Sequence, residues 1–153
     1  KANNFNVTTI FNPAPAIQID ETIFPLIDYF TPNETEASFY VDHKVETFED
    51  AEKAAIQLIE KGIKNVVITL GEKGAFFANR KNKFSLPVAN LSNPVVDTTG
   101  AGDAFNAGFA VALTEGQKIK DALRFASATA GLSTTKIGTA NSMPSREEID
   151  KLL

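Results

Sequence analysis

Val66-Val67-Ile68-Thr69-Leu70-Gly71 is the stretch on which the fold turns, an unbroken apolar and β-branched run closed by a glycine. A run with no polar face is the form of a strand covered by helices on both sides, as strands of parallel sheets are. The preceding residues fit this reading. Phe48, Ala51, Ala54, Ala55, Leu58 and Ile59 recur at helical spacing, Thr47 can cap the first turn and Gly62 follows the last. After the strand, residues 75–78 and 83–88 flank Asn79-Arg80-Lys81-Asn82 and predict a hairpin.

Further out the same alternation continues. Residues 7–11 read as a strand stopped by Asn12-Pro13-Ala14-Pro15, where the prolines exclude helix and interior strand. Short elements are expected at 22–26 (helix), 28–31 (strand) and 33–39 (helix). On the carboxy-terminal side, Phe105, Gly108, Phe109 and Ala112 line one helix face, and Ile119, Ala122, Leu123, Ala126 and Ala130 line the next. Ser145 with Glu148 forms a capping box for a last helix. Strands alternating with helices predict an α/β layer fold with a mainly parallel sheet flanked by helices.

Composition narrows the function. With 153 residues, 43% of them hydrophobic, one globular domain is expected. The net charge is −4 and the basic cluster Arg80, Lys81, Lys83 is small, so nucleic acid is not an expected partner and a small molecule is. Cysteine is absent, which removes disulfides, thiolate metal sites and cysteine nucleophiles. No run approaches the ~20 apolar residues of a membrane span; the expected location is the cytoplasm. His43, the single histidine, lies in a polar stretch and reads as a solvated surface residue. The chain opens on Lys1 rather than Met and is expected to begin in mid-fold.

Ligands of open α/β sheets collect beyond the carboxyl ends of strands, and four loops are expected there: 12–15, 33–36, 71–74 and 97–103. The last reads Asp97-Thr98-Thr99-Gly100-Ala101-Gly102-Asp103 and feeds directly into a helix. Its glycines let the backbone approach a ligand, and the N–H groups of Ala101, Gly102 and Asp103 are expected to be free at the helix start, where the dipole favours an anion. A carboxylate beside them can accept a proton, so the turn suits phosphoryl transfer to an alcohol. The plainer alternative makes Asp103 a first-turn acid that only stabilises its helix. A P-loop is absent, and Phe105 stands where a dinucleotide fingerprint needs its third glycine.

Residues 97–105, Asp-Thr-Thr-Gly-Ala-Gly-Asp-Ala-Phe, resemble the carboxy-terminal signature of the ribokinase (PfkB-type) carbohydrate kinases. Asn12-Pro13-Ala14-Pro15, Thr31-Pro32-Asn33-Glu34-Thr35-Glu36 and Thr69-Leu70-Gly71-Glu72-Lys73-Gly74 resemble further segments of that family, in the same order. The resemblance implies a three-layer ribokinase-like fold. Residues 1–153 would be a single partial domain, the ATP-binding and catalytic half, with the amino-terminal part and its lid missing. It also implies ATP-dependent phosphorylation of a sugar's primary hydroxyl, with D-ribose the best match, and inactivity of this chain by itself. Alternatives are a fructokinase or a 2-keto-3-deoxygluconate kinase, or a non-catalytic half-length module that binds nucleotide or another chain.

By the same resemblance Asp103 is the catalytic base, and Gly100, Ala101 and Gly102 form the anion hole. Asn33 and Glu36 match the family's Asn-x-x-Glu, with Asn33 serving the nucleotide phosphates and Glu36 serving Mg²⁺; their spacing equally suits a capping box. Thr69, Gly71 and Gly74 match a loop that contacts ATP, with Lys73 adding positive charge, though a plain strand-to-hairpin turn has the same composition. Ser127 stands where many relatives place an adenine-contacting Asn. Asp97, Thr99, Ser133, Lys136, Gly138 and Ser142 align with a monovalent-cation site, normally K⁺; residues 133–142 read otherwise as a surface loop. The implied partners are ATP and a small sugar, with homodimerisation of a full-length protein through the lid.

Overall fold

A computed structural model describes residues 2–153, without the Asn3 side chain; the reading of Lys1 lies outside the described residues. The chain divides into two compact units, one ending at Leu86 and the other spanning Pro87–Leu153.

The first unit holds a five-stranded sheet in the order β1 (Ile10–Phe11), β2 (Tyr29–Phe30), β3 (Asn65–Thr69), β4 (Ala75–Asn79), β5 (Lys83–Leu86). The sheet is mixed rather than mainly parallel. Strands β1 to β3 run parallel, whereas β3–β4 and β4–β5 are antiparallel. The reason is local: the short connection 71–74 cannot make the crossover that a parallel neighbour needs. Strand β1 is also shorter than the run 7–11, because the Thr9 N–H and hydroxyl bond to the Asp28 carboxylate at 2.9 and 3.1 Å instead of extending the ladder.

Helices α1 (Glu34–Tyr40) and α2 (Phe48–Glu60) pack on the face of the sheet that carries Val66, Ile68, Phe76 and Ala78. Each helix begins in a capping box, Asn33 with Glu36 and Thr47 with Asp50. Phe24, Phe30 and Tyr40 meet at ring distances of 5.4–6.4 Å and close the core below β1 and β2. On the opposite face Val67 and Phe77 are buried as well, so β3 is covered on both sides as its sequence predicts. The expected helix at 22–26 is a 3₁₀ helix, Glu21–Leu26, with Pro25 inside it.

The second unit contains α3 (Ala101–Thr114), α4 (Ile119–Ser133) and α5 (Arg146–Leu152). Buried Ala104, Gly108, Ala112, Ala122 and Ala126 let α3 and α4 approach closely. Arg146 draws α5 in, with its guanidinium 5.0 Å over the Phe125 ring and paired with Glu115 and Asp150. Among the described residues no helix is long and apolar enough to cross a membrane.

Candidate functional site

The parallel register of β1, β2 and β3 puts their carboxyl ends at one edge of the sheet. Three of the four expected loops leave from that edge, and they are tied together by the chain itself. Asn12 Nδ2 donates to the Thr31 carbonyl at 2.8 Å, Thr69 N–H donates to the Pro32 carbonyl at 3.0 Å, and Asn33 and Thr69 form a parallel bridge.

Asn33 and Glu36 do form a capping box: Glu36 N–H donates to Asn33 Oδ1 at 2.8 Å and Asn33 N–H donates to Glu36 Oε2 at 2.9 Å. The box uses one carboxylate oxygen only. Glu36 is otherwise buried at 7% exposure, and burial pushes its carboxyl above the ordinary glutamate value, reinforced by the nearby Glu34 charge. Such an acid lowers the stability of the fold as pH rises through its titration. A cap needs no charge, since Gln at this position makes the same bond. Glu36→Gln is therefore expected to leave the thermal midpoint at pH 7 equal or raise it and to flatten its pH dependence above the ordinary glutamate range, read by circular dichroism.

The turn 71–74 is built on glycines because its backbone requires them. Gly71 and Gly74 have φ of 53° and 109°, and Leu70 N–H closes the turn on the Gly74 carbonyl at 2.8 Å. The Lys73 ammonium is directed to the Glu46 carbonyl at 2.7 Å, so it ties this turn to the α1–α2 connection. That contact lies between residues far apart in sequence and had no signal there. His43 is half-buried rather than solvated, with Nδ1 3.3 Å from Asp42 Oδ1 and Nε2 3.2 Å from the Asp50 carbonyl.

The fourth loop lies in the second unit and, contrary to expectation, does not follow a strand. Residues 87–96 are irregular, interrupted by Pro87 and Pro94, and are held instead by the Thr134 carbonyl, which accepts from both Val96 and Asp97 N–H at 2.8 and 3.1 Å. Gly100 caps α3 in the left-handed conformation, φ 78°, and a Cβ there would stand 3.1 Å from Thr139 Cγ2. Of the three N–H groups expected to be free, that of Ala101 is taken by the Thr98 carbonyl at 3.2 Å, because the left-handed residue folds the chain back into a turn. The Gly102 and Asp103 N–H groups have no partner among the described residues. Gly102 leaves open space, with nothing within 4 Å of where a Cβ would be, and Asp103 is exposed beside it.

Asp97 organises what lies beneath. Its Oδ1 accepts from Thr99 N–H and its Oδ2 from Gly138 N–H, both at 2.9 Å, and these bonds hold its carboxyl below the usual aspartate value. Residues 41 positions apart are thus joined, and Thr99 and Gly138 meet at one carboxylate. Ser133 and Ser142 are buried, each donating to a nearby carbonyl at 2.7 Å and keeping lone pairs to offer. The Lys136 side chain turns away to Glu148. Ser127 is half-buried in the middle of α4.

The geometry places the chain in the ribokinase-like class of α/β folds. A solved structure of ribokinase from Arabidopsis thaliana, complexed with ribose and ATP, superposes with a TM-score of 0.89 at 35% identity, over 97% of this chain and 48% of that one. The pattern of the pfkB family carbohydrate kinases matches residues 1–146, and the chain belongs to that family. It is 42% identical to the ribokinase of Haemophilus influenzae over 96% of its length and 47% of the relative's. To the deoxyribokinase of Salmonella typhi it is 35% identical, over 96% of this chain and 48% of the relative. The chain spans about half the length of the relatives it matches.

Proposed function

We propose that this chain is the phosphoryl-donor half of an ATP-dependent sugar kinase whose acceptor is the primary hydroxyl of D-ribose. The observation that carries the reading is the turn at Gly100, where two unpaired backbone N–H groups stand at the start of α3 beside the exposed Asp103 carboxylate. As the sugar hydroxyl forms its bond to the γ-phosphorus and the bond to the ADP oxygen breaks, Asp103 takes the hydroxyl proton. The N–H groups of Gly102 and Asp103 stabilise charge on the transferring oxygens, and the Ala101 N–H joins them if its turn bond opens.

Two ions complete the reading. Mg²⁺ would neutralise the phosphates, and Glu36 suits it through its carboxylate oxygen outside the capping box. A monovalent cation such as K⁺ would support the anion hole. One carboxylate, Asp97, with neutral oxygens from Thr99, Ser133, Lys136, Gly138 and Ser142, the positions that the family resemblance aligns with such a site, would be a donor set of low charge, which fits a monovalent better than a divalent ion. Among the described residues no group of three or more acidic, histidine or cysteine side chains is placed to hold a metal.

Ribose is favoured over other sugars by the ribokinase relatives, and 2-deoxyribose is the nearest competitor because a deoxyribokinase is also similar. Calorimetric titration of the chain with Mg·ATP tests the donor half, with saturable binding expected. A full-length protein carrying this chain is expected to show its highest kcat/KM on ribose in a panel with 2-deoxyribose, fructose and 2-keto-3-deoxygluconate. Absence of nucleotide binding overturns the donor assignment, and preference for another sugar overturns the acceptor.

A further inference from the structure

The loop that offers the Lys136 and Gly138 carbonyls is fixed at two points on one side. The Thr134 carbonyl accepts from Val96 and Asp97 N–H, and the Gly138 N–H donates to Asp97 Oδ2 at 2.9 Å. Between these points Ile137 is 83% exposed, so no apolar packing restrains it, and Gly138 has a φ of 94°. The third restraint comes from α5. Lys136 Nζ donates to Glu148 Oε1 at 2.9 Å, and Glu148 is itself held, since Oε2 accepts from Ser145 N–H at 2.6 Å and its own N–H donates to Ser145 Oγ at 3.3 Å.

We infer that Glu148 is a positioning residue for the monovalent-cation site: through Lys136 it latches the loop to α5 and so sets where the Lys136 and Gly138 carbonyls stand relative to Asp97. The inference rests on the cation reading proposed above. Glu148 and the Lys136 ammonium need not touch the ion. Without the latch the loop samples more conformations, and cation binding bears the cost of ordering it. Half-exposed ion pairs have small effects, so the expected weakening is about two- to five-fold.

The test is a titration of the ¹⁵N-labelled chain with KCl, replacing choline chloride so that ionic strength stays constant and screening of the pair does not change. In the unaltered chain the Thr99, Gly100 and Gly138 amides are expected to shift saturably. Glu148→Gln keeps the cap and loses the charge, and is expected to raise the apparent Kd for K⁺ about two- to five-fold. Lys136→Met, which leaves α5 untouched, is expected to do the same, and the double variant no more than either single one. The Gly108 amide, in the α3–α4 contact, is expected to keep its shift throughout. Saturable shifts with an unchanged Kd in both single variants overturn the latch while leaving the cation site standing, as do effects that add in the double variant. Shifts that never saturate in the unaltered chain overturn the cation reading itself.

Discussion

Asp103→Asn, in a full-length protein that carries this chain, is expected to lower kcat for ribose phosphorylation by ~10²–10⁴, the usual contribution of a positioned general base. Asn has the shape of Asp but cannot take the hydroxyl proton. KM for ATP is expected to change little, because the groups proposed to face the phosphates are backbone N–H groups and survive the substitution. Stability is also expected to change little: an exposed first-turn acid contributes about 0.3–1 kcal/mol through the helix dipole. The two readings of Asp103 therefore separate cleanly in steady-state kinetics. A helix-stabilising acid alone predicts a slightly lower thermal midpoint with kcat intact, and that result would remove the base from the mechanism.

The sequence was most informative where a local rule and a tertiary demand coincide. The run at Val66 had to be covered on both faces, and it is; the helix caps at Asn33, Thr47 and Ser145 were legible because each is satisfied within four residues. Sheet direction was less legible, for the opposite reason. A hairpin was legible at 75–88, but its effect on the sheet follows from the connection 71–74, which is too short to cross over. The loop 97–103 was legible as a helix start, whereas its attachment was not. What holds Asp97 is the Thr134 carbonyl and the Gly138 N–H, backbone groups that every residue type possesses and that leave no signature in a sequence. The contacts Lys73–Glu46 and Lys136–Glu148 escaped likewise, as long flexible side chains in polar stretches have many possible partners. The Asn-x-x-Glu at 33–36 forms the capping box that its spacing suits. One oxygen of Glu36 caps a helix, and the unfavourable burial of its charge is a cost that capping does not require.

Gly108→Val is expected to cost about 3 kcal/mol of stability, at the upper end of the range for overpacking a core. A Cβ at Gly108 would lie 2.5 Å from Thr129 Oγ1, 2.9 Å from Thr129 Cβ and 3.2 Å from Ala126 Cα. The first of these cannot be relieved by rotation without loss, since the Thr129 hydroxyl is buried and donates to the Phe125 carbonyl at 2.8 Å. The third is backbone, so α3 and α4 must separate. Valine also adds two methyl groups beyond the Cβ, and its gain over glycine in helix propensity, about 0.4 kcal/mol, is too small to compensate. Separation of these helices reaches the site, because α3 begins at the Gly100 turn while α4 ends at Ser133, next to the Thr134 carbonyl that holds Asp97. Gly102→Ala is the control within the same helix: its Cβ meets nothing within 4 Å, so stability is expected to hold or rise slightly while the alanine methyl enters the proposed anion hole. Urea unfolding of the two variants measures the contrast, and a Gly108→Val midpoint equal to that of the unaltered chain would show that α3 and α4 are not packed this closely.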